Sequence, residues 1–220
     1  MSNVIEIVDF SFHYNNNFVL DVKNFYINQG EMVFLSGESG SGKTTLLNII
    51  TGILEYKTGS VKVLNTELKL LSNHQRDRFR GQNIGFIFQQ FNLIPYLSVK
   101  ENVLLPCKFF NKDTKLLEKL LHDIDLNEKL WNTRVDELSV GQQQRVACVR
   151  ALIGSPKLII ADEPTSALDD ARQDAFLDML IRGCKSVNST LLFVSHNKNL
   201  IKRFDRVVQI KDGVVSGVIL

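Results

Sequence analysis

No run of apolar residues in this chain approaches the roughly 18 that a membrane-spanning helix needs. Any work at a membrane therefore needs a partner to carry the chain there. An excess of one charge is also missing. Lys and Arg number 26 against 24 Asp and Glu, a formal net charge of +2. That balance gives no argument for nucleic acid as a main partner. Cysteine is sparse and unpatterned. Cys107, Cys148 and Cys184 are far apart, odd in number and without CxxC spacing. They read as reduced thiols, not disulfides or a metal cage. The opening residues Met1 to Glu6 carry acid where a secretion leader needs a basic and then an apolar stretch. Internal repeats and low-complexity segments are absent as well.

What is present suits a soluble globular protein. The 220 residues are 44% hydrophobic and 23% charged, enough for one domain or a domain with a small insert. Ile5 and Ile7, then Phe10, Phe12 and Tyr14, follow period two with one slip, as in a half-buried strand. Asn15-Asn16-Asn17 is turn chemistry. Phe18–Ile27 reads as a second strand, turned by Gln29-Gly30, and Glu31–Ser36 as a third. Lys43–Ile53 suits a helix. From about 95 to 155 the pattern is helical, with Leu116, Leu117, Leu120 and Leu121 on one face. Leu158–Ala161 and Leu191–Val194 are short apolar runs of the kind found in buried parallel strands. Asp212-Gly213 signals a hairpin. Alternating strands and helices argue an α/β domain interrupted by a mostly helical insert.

Gly37-Glu38-Ser39-Gly40-Ser41-Gly42-Lys43-Thr44 fits GxxxxGK[ST]. Glycines let the backbone curl so that its N–H groups point at one anion, and the helix that follows adds its N-terminal dipole. In that pattern Lys43 reaches the β/γ-phosphates and Thr44 holds Mg²⁺. A plain glycine-rich turn would match four such positions by chance in roughly one chain of this length in a hundred. Leu158–Glu163 is an apolar strand ending in two carboxylates, at the end where an α/β sheet places its ligands. Asp162 is then the Mg²⁺-orienting group, and Glu163 the base that polarises the attacking water. Ser139 and Gln142 form an S-x-x-Q capping box, so a helix should begin there with free N–H groups.

Leu138-Ser139-Val140-Gly141-Gln142, followed by Gln143-Gln144-Arg145, resembles the signature of ABC transporter ATPases. The resemblance spans about residues 3 to 217 and implies an α/β P-loop NTPase fold: an ABC ATPase core with an antiparallel β subdomain and a helical insert. The core would take about 1–90 and 156–220, the insert about 91–155. It implies ATP and Mg²⁺ as ligands, bound through Tyr14, Gly37, Glu38, Ser39, Gly40, Ser41, Gly42, Lys43, Thr44, Thr45 and Gln89. Tyr14 resembles the aromatic that stacks on adenine, although it also fits the strand face with Phe10 and Phe12. Gln89 resembles the glutamine that senses Mg²⁺ and contacts the membrane partner. His196 resembles the switch histidine that contacts the γ-phosphate, whereas His13, His74 and His122 read as surface residues. Ser166-Ala167-Leu168-Asp169 resembles the loop that crosses a dimer interface, and Asp169 also suits a helix cap. Ser139, Val140, Gly141 and Gln142 would face ATP bound by a second copy, which makes the active unit a homodimer.

Phe88–Pro95, Ser98–Val103 and Leu105-Pro106 look like the lipoprotein-release and macrolide-export branch. That branch implies a polytopic membrane partner with an extracytoplasmic domain and a place on the cytoplasmic face of the membrane. A cell-division-type ATPase and a simple permease ATPase are the alternatives within the family. The 95 residues between Lys43 and Ser139 are too few for the coiled coil of a repair ATPase. A single phosphate loop argues against a translation factor. The end at Leu220 leaves no length for an added regulatory domain, which leans towards export or mechanical work. One departure stands out. Val140 occupies a position where the family usually has Gly, and a β-branched residue resists positive φ.

Overall fold

The computed structural model describes residues 2–14, 17–124, 126–166 and 168–219. Asn15 and Asn16, read from sequence as a turn, lie outside the described residues, as does Ala167. In chain order the strands are β1 (Asn3–Tyr14), β2 (Asn17–Asn28), β3 (Met32–Gly37), β4 (Ser60–Val63), β5 (Thr66–Glu67), β6 (Ile84–Ile87), β7 (Leu158–Asp162), β8 (Thr190–Val194), β9 (Arg206–Lys211) and β10 (Val214–Ile219). The helices are α1 (Lys43–Ile50), α2 (Asn73–Asn83), α3 (Val99–Phe110), α4 (Leu117–Asp123), α5 (Val140–Leu152) and α6 (Asp170–Ser186). They group into two compact units, Met1–Arg80 with Thr190–Leu220, and Gly81–Ser189. The expected insert, about 91–155, lies wholly within the second unit, which also takes in β6, β7 and α6.

In the first unit the strand order is β5-β4-β1-β2-β10-β9-β3-β8. The β5-β4-β1-β2 part is antiparallel, and β9, β3 and β8 run parallel. The slip in the period-two pattern of β1 has a visible cause. Asp9 adopts a left-handed φ of 47°, and the buried side of the strand changes parity from Ile5 and Ile7 to Phe10. Its partner β2 changes parity at the same level, from Leu20 and Val22 to Phe25 and Ile27. Pairing is therefore kept in step, Val8 with Asn24 and Phe10 with Val22. Both strands keep an apolar face inward across the kink.

β3 is buried from Met32 to Ser36. Phe34 stacks with Phe193 of β8 at 6.2 Å between ring centroids and meets Phe204 edge-on at 5.2 Å. Glu31, just before β3, receives a two-pronged bond from Arg206 at 2.6 and 3.0 Å. Helix α1 ends at Ile50, short of the expected Ile53. Thr51 Oγ1 donates back to the Leu47 carbonyl at 2.8 Å, and Gly52 turns the chain with φ 68°. Helix α2 was not expected from sequence. Phe79 is its one large apolar residue and only Arg76 is buried, so no apolar period marks it. Arg76 instead bonds Glu55 and Asn73. Asp212 and Gly213 take φ 49° and 76° and close the β9–β10 hairpin, as their chemistry predicts.

The second unit holds the parallel pair β6–β7 and helices α3 to α6. Helix α5 approaches β6 closely. A Cβ at Gly85 would lie 2.1 Å from the Ala151 carbonyl, so only glycine fits. Capping boxes start both α3 (Ser98 with Glu101) and α5 (Ser139 with Gln142). The three cysteines are free and buried. Burial pushes the Cys184 thiol up to about 12, and raises Cys148 and Cys107 too. Such thiols are poor nucleophiles.

Candidate functional site

The phosphate loop joins β3 to α1, so the chain leaves a buried strand and enters a helix through the glycines. Gly42 is the N-cap of α1 with φ 106°, and its Cβ would meet Leu20 Cδ2 at 2.7 Å. A Cβ at Gly37 would lie 2.5 Å from Ser41 Oγ and 2.7 Å from the Ile210 carbonyl. The loop is thus wound too tightly for side chains at either end. Lys43 Nζ donates to the carbonyls of Gly37 at 2.8 Å and Glu38 at 2.9 Å, spanning the loop. That uses two of its three donors. Thr44, Glu38, Ser39 and Gly40 are exposed, and Thr45 is half-buried. Ser41 Oγ is the buried side-chain polar atom among the described residues that has no bond within the chain. A curled backbone, a helix N-terminus, one ammonium and an unpaired hydroxyl form a cradle suited to phosphate oxygens.

Two other expected residues of the first unit flank this loop. β8 runs parallel to β3, with Leu35 opposite Val194, so His196 emerges at the same strand ends as the loop. It is exposed, on a turn where Ser195 Oγ accepts the Asn197 N–H at 3.1 Å. Tyr14 ends β1 and is 46% exposed, with its ring edge-on to Phe12 at 4.9 Å. Phe12 pairs with Leu20, the residue against Gly42. Tyr14 thus ends the strand whose Phe12 lies across from the residue that meets the phosphate loop.

The second unit brings together the other half of the expected set. β6 and β7 are parallel with Ile87 opposite Ala161, so Gln89 and the Asp162–Glu163 pair leave the sheet at one edge. Asp162 and Glu163 are half-buried, and Gln89 is exposed. Glu163 has φ 46° and stands directly before Pro164. A left-handed non-glycine residue is disfavoured, and such strain persists where neighbours hold it. Asp169 caps α6 by accepting the Arg172 N–H at 2.9 Å, which satisfies its helix-cap reading.

At the start of α5 the signature residues form the predicted capping box. Ser139 N donates to Gln142 Oε1 at 2.9 Å, and Gln142 N to Ser139 Oγ at 3.4 Å. Val140 is the first helical residue and its φ is not positive. The backbone difficulty expected of a β-branched residue there does not arise. Its isopropyl group is instead 58% exposed beside the helix N-terminus. Gly141 has open space where a Cβ would stand, so the fold itself does not require glycine there.

Two residues escaped the sequence reading. Gln144 Nε2 donates to the Pro164 carbonyl at 2.6 Å. Arg150, a turn and a half further along α5, donates to the carbonyls of Phe91 and Asn92 at 2.7 and 2.6 Å, just beyond Gln89. Both reach backbone atoms far away in sequence. The one local hint is that each lies on the buried side of a patterned helix.

The ABC transporter family model matches residues 20–166, two-thirds of the chain, from the phosphate loop through the two carboxylates. The chain belongs to the ABC transporter family. Its chemistry is that of an ATPase. This cassette is 34% identical to the lipoprotein-releasing system ATP-binding protein LolD of Porphyromonas gingivalis over 201 residues, 90% of this chain and 91% of that one. It is 40% identical to the macrolide export ATP-binding/permease protein MacB of Campylobacter jejuni over 203 residues. That match covers 90% of this chain and 31% of the relative, so the cassette spans about a third of the length of MacB. Among solved structures, the dimeric post-hydrolysis cassette MJ0796 bound to ADP and Pi superposes with a TM-score of 0.82 at 34% identity, covering 98% of both chains.

Proposed function

We propose that this cassette binds MgATP, pairs with a second copy around two nucleotides and drives a membrane permease partner in export, lipoprotein release or mechanical work. The observation that carries the reading is the phosphate loop, with left-handed Gly42 opening α1 and Lys43 spanning the loop. Lys43 would bind the β/γ-phosphates, with the loop N–H groups of Glu38 to Thr45 around them and Tyr14 on the adenine. Thr44, Gln89 and Asp162 suit Mg²⁺, which takes few protein ligands and completes its shell with phosphate oxygens and water. The metal would supply charge neutralisation on the transferring phosphoryl group. Glu163 would accept the proton of the attacking water, and His196 would hold the γ-phosphate.

Ser139, Val140 and Gly141 would meet the ATP of the second copy. Open space at Gly141 and exposure of Val140 support an external contact for that end of α5. Asp169 would stand near the same dimer face. No helix among the described residues is long and apolar enough to cross a membrane. The membrane partner would therefore hold the cassette at the cytoplasmic face, and it would set the substrate. The names of LolD and MacB favour lipoprotein release or export among these roles, and by the branch resemblance the partner would carry an extracytoplasmic domain.

Tagged chain purified from detergent-solubilised membranes tests this reading. A copurifying polytopic membrane protein and ATP turnover in the eluate are the expected result. Recovery of ribosomes or DNA, or turnover no higher than a Glu163→Gln control, would overturn it.

A further inference from the structure

Gln144 is 3% exposed, in the second turn of α5. Its neighbours each serve the start of their own helix. Gln142 closes the capping box, and Gln143 Nε2 donates to the Leu138 carbonyl at 3.0 Å. Gln144 alone of the three reaches another element, the turn after β7. That turn carries Glu163 at φ 46° ahead of Pro164. Within the turn, Ser166 N donates to the Glu163 carbonyl at 3.3 Å and Leu168 N to the Thr165 carbonyl at 3.0 Å. At its far end Gln173 Nε2 of α6 donates to the Leu168 carbonyl at 2.9 Å. At its near end the 2.6 Å bond from Gln144 ties the Pro164 carbonyl, next to Glu163, to α5, in a buried setting where an unmade bond is costly.

We propose that Gln144 is a positioning residue for Glu163, and that α5 relays the state of its signature end to that carboxylate in the same chain. Ser139 and Gln144 lie five residues apart, about 7.5 Å along the axis of a rigid helix. A nucleotide that a second copy presents to Ser139–Gly141 biases the first turns of α5. Through Gln144 it then biases the strained turn that aims Glu163. Each chain thus readies its own base when its signature end is engaged, which makes hydrolysis at the two sites positively cooperative. This rests on the ATPase reading above.

Two substitutions test it. Gln144→Met keeps length and volume but removes the donor. Gln144→Glu keeps the shape and sets a carboxylate against a carbonyl, yet its protonated form can donate again, and burial raises its pKa. Three readouts are taken on the full chain: steady-state ATP turnover, nucleotide affinity and amide hydrogen exchange in the segment 163–168. Gln144→Met should lower kcat about tenfold or more, the loss expected of a buried bond. KM and affinity should stay within about twofold, the Hill coefficient should fall to about 1, and exchange in 163–168 should quicken. Gln144→Glu should match it at high pH, where its carboxylate is ionised, and recover towards wild type as pH falls through its raised pKa, whereas Gln144→Met should not.

Unchanged kcat in Gln144→Met, or equal losses of kcat and affinity with unaltered exchange, would overturn the proposal. Absence of a pH-dependent recovery in a folded Gln144→Glu protein would do the same. If wild type showed no turnover above Glu163→Gln, the ATPase reading would fail instead. The exchange arm would still report whether Gln144 holds the Glu163 turn.

Discussion

Glu163→Gln should lower ATP turnover by about 10² to 10⁴, the usual contribution of a general base, with ATP binding kept within about twofold. The change is nearly isosteric, so the turn from Glu163 to Pro164 and the bond from Gln144 survive it. The phosphate loop lies on a different unit and is untouched. What goes is the carboxylate that, in the role proposed above, accepts the proton of water. A purified Glu163→Gln chain assayed for phosphate release and for binding of a fluorescent ATP analogue separates these effects. Parallel loss of binding and turnover would mean that Glu163 shapes the pocket instead of serving the chemistry. Undiminished turnover would remove it from the mechanism.

Gly42→Ala should abolish measurable nucleotide binding and destabilise the fold. Two costs combine at this position. Alanine at φ 106° pays for an unfavourable backbone region, about 1–3 kcal/mol. Its Cβ would also stand 2.7 Å from Leu20 Cδ2, and overpacking costs typically ~1–3 kcal/mol more. The loop must unwind to relieve either, which withdraws the N–H groups and Lys43 from their shared target. Gly40→Ala is the control. It has φ 78° but open space around a Cβ, so it carries the first cost alone. Thermal unfolding should place Gly42→Ala well below Gly40→Ala, with binding lost in the former and weakened in the latter. Equal behaviour of the two would show that the Leu20 contact does not matter.

The parts of this cassette legible in sequence are those whose chemistry is local. The phosphate loop, the Ser139–Gln142 capping box and the Asp212-Gly213 hairpin each specify backbone geometry within eight residues. The family resemblance extended that to Gln89, Asp162, Glu163 and His196, and the structure sets these at strand ends. Long-range terms were not legible. Helix α2 hides because it packs through Arg76 and not through an apolar stripe. The slip at Asp9 is visible in β1, but its match in β2 becomes clear only through the pairing. The left-handed φ of Glu163 leaves no trace in residue type, since Glu is not a residue that favours it. Gln144 and Arg150 look like ordinary helix residues until their acceptors, 20 and 58 positions away, are known. Val140 shows the reverse. Residue type suggested a backbone conflict, and its place as the first residue of α5 removes it.

In the proposed function each working site takes its phosphate loop from one copy and its signature from another. Mixing two inactive chains tests it most directly. Lys43→Ala disables the loop but leaves Ser139 intact, and Ser139→Arg blocks the signature but leaves Lys43 intact. A mixed dimer then holds one fully intact site of two. Random pairing makes half the dimers mixed, so an equal mixture should regain at most about a quarter of wild-type ATP turnover, and about a tenth of that where the blocked signature of the Ser139→Arg chain leaves its own Glu163 unreadied, with each variant alone near zero. A mixture as inactive as its components would contradict the account, and so would a Ser139→Arg chain that hydrolyses ATP unaided.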